Sequence, residues 1–272
     1  NKMDYNKIFS GEEPIFFDCC GITGDHNWYN EAVRPFSDYR DLNSLVIANE
    51  IEHVKTFFPF LVDPQRQIFF TPKVVKEVRG FRRLLERKAF YLEDRKGISP
   101  RAIENRKLFL GIKKAYEILA AVVPENEYKI DNKKEFYKYN KLLIQLGKKY
   151  GAKIKSKEYD KTRYKQENHI KDNHADEELV ACALFHTLQN NVSCGIITRD
   201  RDLSLLFKFG LRYFFDNPGY ENELKTLSKT PVWIYDILRE SILSSDERIS
   251  FYNALKERAI PGSSLEEKVA LP

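Results

Sequence analysis

No apolar run in the 272 residues approaches the roughly 18 to 20 that a bilayer span requires, so no membrane-spanning segment is expected. The opening NKMDYNKIFSGEEP lacks the apolar centre of a secretory signal, and the expected compartment is the cytoplasm. Cysteine is scarce. The four residues, Cys19, Cys20, Cys182 and Cys194, show neither CxxC spacing nor the density of a disulfide scaffold. Zinc and disulfide frameworks are thereby set aside, and all four are expected as small core residues. Internal repeats and low-complexity tracts are missing as well.

What is present is a chain 42% hydrophobic, enough to bury the core of one large domain or of a domain carrying an insertion. The net charge of +5 is modest and says little alone. Its distribution says more. Arg79 to Lys165 carries about 25 Lys and Arg against about 11 Asp and Glu, so the remainder is net acidic. An acidic part beside a basic part suits a protein that holds cations in one place and a polyanion in another, although lysine also serves exposed helices for solubility.

Residues 14–22, PIFFDCCGI, form an apolar run broken by one acid, the pattern of a buried parallel strand ending at a polar site. Ile47, Ile51, Val54 and Phe58 fall on one face of a helix. QIFF at 67–70 is a second strand, and TPKVVKEVRGFRRLLERK a helix with Thr71 at the N-cap and Pro72 at its first position. From 81 to 170 no good strand candidate occurs. Instead, Ser99 and Pro100 open a helix with stripe Leu108, Ile112, Ala115 and Leu119, and another carries Phe136, Tyr139, Leu143, Leu146 and Tyr150. PENEYKIDN separates the two as a loop, and the basic 151–173 is expected to be a mobile connection. The α/β alternation then returns: helix HADEELVACALFHTLQNN with Leu179, Cys182, Ala183 and His186 on its apolar face, strand CGIIT, and helix DLSLLFKFG ending near Gly210. LRYFFD (211–216) and PVWIYDIL (231–238) are further strand candidates, and SSDERISFYNALKERA is a closing helix.

Four acids stand out. In a parallel α/β sheet, ligands bind beyond the carboxyl ends of the strands. Asp18 ends the first strand and Asp200 another; Asp176 lies in the first turn of the helix before that strand, and Glu77 about two turns into the helix after the second strand. Each alone fits a helix-dipole or turn role. Together they form a candidate oxygen-only cluster, whose mutual repulsion would raise carboxyl pKa values unless a cation offsets it. Thr198 is placed to hydrogen-bond a ligand carboxylate, and Asp202 to cap the following helix.

These segments resemble the PIN-domain nuclease family. IFFD at 15–18 is similar to its first acidic strand end, and TPKVVKEV at 71–78 to the helix bearing its glutamate. DEELVACAL at 176–184 is similar to its Asp-x-x-hydrophobic-x-Ala-x-Ala helix, and IITRDRDL at 196–203 to its Thr-x-Asp-x-Asp strand end. The resemblance covers about 14–80 and 174–216. It implies an α/β fold, a PIN-like parallel sheet flanked by helices; the helical and polar patterns outside it are expected as a basic helical insertion at 81–173, within one domain over 14–260, and a disordered tail at 261–272. It implies Asp18, Glu77, Asp176 and Asp200 as catalytic residues and ligands of Mg²⁺ or Mn²⁺, Asp202 and Thr198 as accessory, and endonucleolytic cleavage of single-stranded RNA. Cys19 and Cys20 depart from the family's usual Thr-Asn or Thr-Ser, and a thiol is a poor ligand for a hard cation.

Lys148, Lys149, Lys153, Lys155, Lys157, Lys161 and Lys165 are the expected phosphate contacts, with Tyr159 and Tyr164 the candidates for base stacking. A structure-specific DNA nuclease and a non-catalytic RNA-binding or protein-interaction module with the same fold stay open. So do an inhibitory or scaffolding protein partner and a homodimer.

Overall fold

The structure, a computed structural model, describes residues 13–23, 27–34, 37–93, 99–154 and 174–258. It is an α/β protein: a five-stranded mixed sheet of order β2-β1-β3-β4-β5 with helices on both faces. Strands β1 (Ile15–Phe17), β2 (Ile68–Phe69), β3 (Cys194–Thr198) and β4 (Val232–Asp236) are parallel. β5 (Ser241–Ser244) returns antiparallel to β4 through a turn in which Glu240 takes φ 49°. The sheet is therefore not purely parallel, because the segment after β4 folds straight back as a hairpin. The central β1 and β3 are buried at every position, as strands covered on both faces must be.

Side-chain alternation divides the core in two. Ile15, Phe17 and Ile197 face one layer, built by α1 (Cys19–Ile22), α2 (Trp28–Val33), α3 (Ser44–Leu61), α4 (Pro72–Glu93) and α5 (Pro100–Val122). Phe16, Ile196, Val232 and Ile234 face the other, built by α6 (Lys133–Ile154), α7 (Ala175–Asn190), α8 (Arg201–Asp216), α9 (Glu221–Lys229) and α10 (Ser245–Arg258). The helical stretch after residue 81 thus contributes to both layers. It crosses between them beside β2, where Phe70 N–H donates to Asn126 O at 3.0 Å and Tyr128 N–H to Phe70 O at 2.8 Å. The starts of α4 and α5 carry the side-chain caps their sequences suggest: Thr71 Oγ1 accepts from Val74 N at 3.3 Å and Ser99 Oγ from Ala102 N at 3.2 Å.

Two sequence expectations are corrected here. LRYFFD is not a strand, and Gly210 does not end the preceding helix: both lie inside α8. Leu203, Leu206, Phe207, Leu211 and Phe214 continue one buried helical stripe, and Arg212 pairs with Asp216 at i,i+4. Gly210 serves close packing instead, since a Cβ there would stand 3.1 Å from Leu143 Cδ2 of α6. The cysteines also divide: Cys19, Cys182 and Cys194 are buried, but Cys20 is exposed.

Candidate active site

Parallel pairing brings the carboxyl ends of β1, β3 and β4 to one edge. Asp18 follows β1 directly; its N–H donates to Ile197 O at 3.1 Å, while its own carbonyl accepts from Gly21 and Ile22 N–H groups and so opens α1. Gly21 lets that turn sit against β3, because a Cβ there would stand 2.6 Å from Ile197 O. The Asp18 carboxyl is only 4% exposed, and its Oδ2 accepts from the buried Thr198 hydroxyl at 2.9 Å. That hydroxyl also accepts from Asp200 N–H at 2.9 Å. Thr198 therefore links two of the expected acids through one hydroxyl.

Asp200, not Asp202, caps α8: Asp200 Oδ1 accepts from Asp202 N–H at 2.8 Å. The cap lies two residues earlier than the apolar pattern suggests, so Asp202 lies in the first turn, half-buried, where its charge favours the helix N-terminus. Asp176 stands in the first turn of α7, and Glu77 on α4; both are half-buried.

Electrostatics show that the four acids from four elements are neighbours. Burial, then Asp200 and Glu77, push the Asp18 carboxyl up to about 7. Burial, then Asp18, Asp200, Glu177 and Glu77, raise Asp176 well above the carboxylate range. The exposed Cys20 thiol reports the same convergence: crowding by surrounding protein, then Asp18, Asp200, Asp176 and Glu77, raise it well above its ordinary value. Held neutral, it leaves the carboxylate oxygens as the donors. Among the described residues no three acidic, imidazole or thiol groups already stand together as a ready metal-binding set. The acids act on one another through space, the arrangement like charges take when they repel. An all-oxygen set in which burial and neighbouring acids raise Asp18 and Asp176 fits a hard divalent cation.

Sequence reading missed Glu178, two residues after Asp176. It is buried and accepts from Lys73 N–H at 3.0 Å, while Lys73 Nζ lies 3.3 Å from its other oxygen and donates to His174 O at 3.0 Å. This contact ties the start of α4 to the start of α7, and so sets Glu77 relative to Asp176. Helical phase alone marks Glu178 as inward-facing, but nothing in a single sequence points to Lys73. Asp236, ending β4, is also buried, yet its oxygens are taken up by Leu238 N–H, Arg239 N–H and the Arg239 guanidinium.

Of the expected phosphate contacts, Lys148 and Lys149 are exposed on α6, with Lys149 Nζ 5.1 Å from the Tyr150 ring centroid. Lys153 belongs to the same helix, but its side chain lies outside the described residues, as do Lys155, Lys157, Tyr159, Lys161, Tyr164 and Lys165 altogether. Comparison of the chain with protein-family models, with curated proteins and with solved structures gives no match.

Proposed function

We propose that the chain is a metal-dependent nuclease of PIN-like design that hydrolyses phosphodiester bonds of single-stranded RNA. The observation that carries this reading is the convergence of Asp18, Glu77, Asp176 and Asp200, from four separate elements, on one edge of the sheet, where burial and then the neighbouring acids push Asp18 and Asp176 upward. A fold tolerates that repulsion where function requires the charge.

Asp18, Asp176 and Asp200 would hold Mg²⁺ or Mn²⁺. When bound, such an ion polarises a phosphoryl oxygen and acidifies a coordinated water. The chain's own groups orient the rest. The Thr198 hydroxyl fixes the rotamer of Asp18 through Oδ2. The cap bond to Asp202 N–H commits Oδ1 of Asp200 and leaves Oδ2 for the site. Glu77, at the rim on α4, aligns the attacking water and accepts its proton. The Lys73–Glu178 contact holds α4 and α7 in register, so that Glu77 and Asp176 keep their separation.

The test is cleavage of unstructured RNA and DNA oligonucleotides of one sequence, with Mn²⁺ and with EDTA. Expected is Mn²⁺-dependent cutting of RNA that Asp200→Asn lowers at least about a hundredfold, the scale on which loss of a charge-stabilising group acts. Preferential cutting of branched DNA would favour the DNA nuclease instead. Equal activity in wild type and variant would reject the site.

A further inference from the structure

Beginning at the carboxylate edge and running down α8 to its crossing with α10 are cations that sequence reading did not single out. Arg201 opens α8 directly after Asp200, and Lys208, seven residues on, returns to the same helical face. Helix α10 crosses α8 at this point, because Tyr252 Oη donates to Lys208 O at 3.3 Å. Arg248 stands one turn before Tyr252, its guanidinium 5.2 Å from the Phe251 ring centroid and 5.5 Å from that of Tyr252. Arg239 comes from the β4–β5 turn: Asp236 is the register partner of Thr198, and Ile237 N–H donates to Thr198 O at 2.9 Å. Burial, then Arg248, Arg201 and Arg239, lower the Lys208 ammonium below its ordinary pKa, which places all four cations within electrostatic reach.

Their counter-charges are few. Arg239 bonds to Asp236. Among the described residues, Arg201, Lys208 and Arg248 take part in no ion pair, and the buried Nε of Arg248 has no hydrogen-bond partner. The buried Nε of Arg199, between Thr198 and Asp200, is likewise unpartnered. Of the acids on these elements, Asp202 is half-buried in the first turn of α8, Asp216 pairs with Arg212, Asp246 accepts from Ser244 Oγ, and Glu240, Glu247 and Glu257 are exposed. Cations gathered without ion-pair partners of their own cost stability, and a multivalent anion relieves the cost. Seven residues of helix separate Arg201 from Lys208 by about 10 Å along the axis, too far for one phosphate but suited to successive phosphates of a chain.

The geometry points to Arg201, Lys208, Arg239 and Arg248 as a phosphate track that lays a single nucleic-acid strand along α8 and α10, toward the carboxylates. Phe251, 40% exposed beside Arg248, offers a ring face to an unpaired base. The inference rests on the nuclease reading for the direction of the strand. Its chemistry, the phosphodiester backbone, is shared by RNA and DNA.

The experiment is fluorescence anisotropy with labelled single-stranded RNA and DNA of one sequence, in EDTA so that binding is separated from cleavage. Wild type is expected to bind with a log-affinity against log-salt slope of about −2 or steeper, at roughly −0.7 per neutralised phosphate. R201Q/K208Q/R248Q should lose at least about tenfold in affinity at low salt, with its slope flattened by about two units. R201Q/K208Q keeps the Arg248 ring contacts and serves if the triple variant melts early; its slope should flatten by about 1.4. R101Q/K107Q/K114Q removes equal charge from exposed positions of α5 and should stay near wild type. Binding of either strand supports the track, and the preferred strand identifies the source. Unchanged affinity and slope in both track variants, equal loss in the α5 control, or no binding by wild type would overturn it. Salt-sensitive binding without Mn²⁺-dependent cleavage would remove the nuclease reading alone, whereas cleavage with unaltered binding in the track variants would remove the track alone.

Discussion

Asp18 concentrates the physical consequences of the site in one residue. Its carboxyl titrates near 7 instead of 3.8 because burial, Asp200 and Glu77 disfavour its charge. The folded state therefore binds this proton more tightly than the unfolded chain, so its contribution to stability is full below about pH 4 and is lost as pH rises through about 7. His53 works in the opposite sense: burial and then Arg199 lower it from 6.5 to about 4, so it withdraws stability as pH falls below 6.5. The readout is thus a difference. In EDTA, wild type should melt a few degrees lower at pH 8 than its Asp18→Asn variant, and this gap should close toward pH 4. A gap independent of pH would contradict the raised pKa. The acids themselves were legible in the sequence because strand ends and first helical turns can be read from apolar periodicity. The Asp200 cap and the Glu178–Lys73 contact were not, since one depends on a two-residue shift of the helix start and the other on residues 105 apart in the chain.

At the scale of elements, the central strands and most helices follow from short apolar runs, caps and 3.6-residue stripes. The failure at 211–216 has a specific cause. Leu-Arg-Tyr-Phe-Phe is rich in residues that favour strands, and the glycine before it resembles a helix stop. Tertiary packing decides otherwise, because Leu211 and Phe214 extend the face that meets α6 and Gly210 admits Leu143. The helix makes Phe214 the inward residue, where it stacks on Tyr220 at 4.6 Å, and leaves Phe215 only half-buried. Phe214→Ala should therefore cost about 3–5 kcal/mol in urea denaturation, and Phe215→Ala distinctly less. The reverse order would support strand alternation. Strand β5 escaped notice because SILS at an exposed hairpin edge carries no buried alternation to read.

For the molecule as a whole, charge asymmetry was visible in composition, but its geometry was not. The lysine-rich stretch after residue 81 folds partly into both layers of the core. The cations grouped around Lys208 instead come from α8, α10 and the β4–β5 turn, three segments outside that stretch. Parallel pairing sends the ends of β1, β3 and β4 to one edge, where Asp200 is followed directly by Arg201. The central claim is that Asp18, Asp176 and Asp200 form one cation site with Glu77 beside it, and thermal melting across a Mn²⁺ titration tests it without reference to substrate. An ion at one hundred times its Kd adds about 2.7 kcal/mol to the folded state, which raises Tm by about 5 °C in a chain of this size. Wild type should show that rise, while Asp18→Asn and Asp176→Asn, each compared with its own metal-free Tm, should move by less than about 1 °C. No rise in wild type up to millimolar Mn²⁺, or an equal rise in both variants, would contradict the claim.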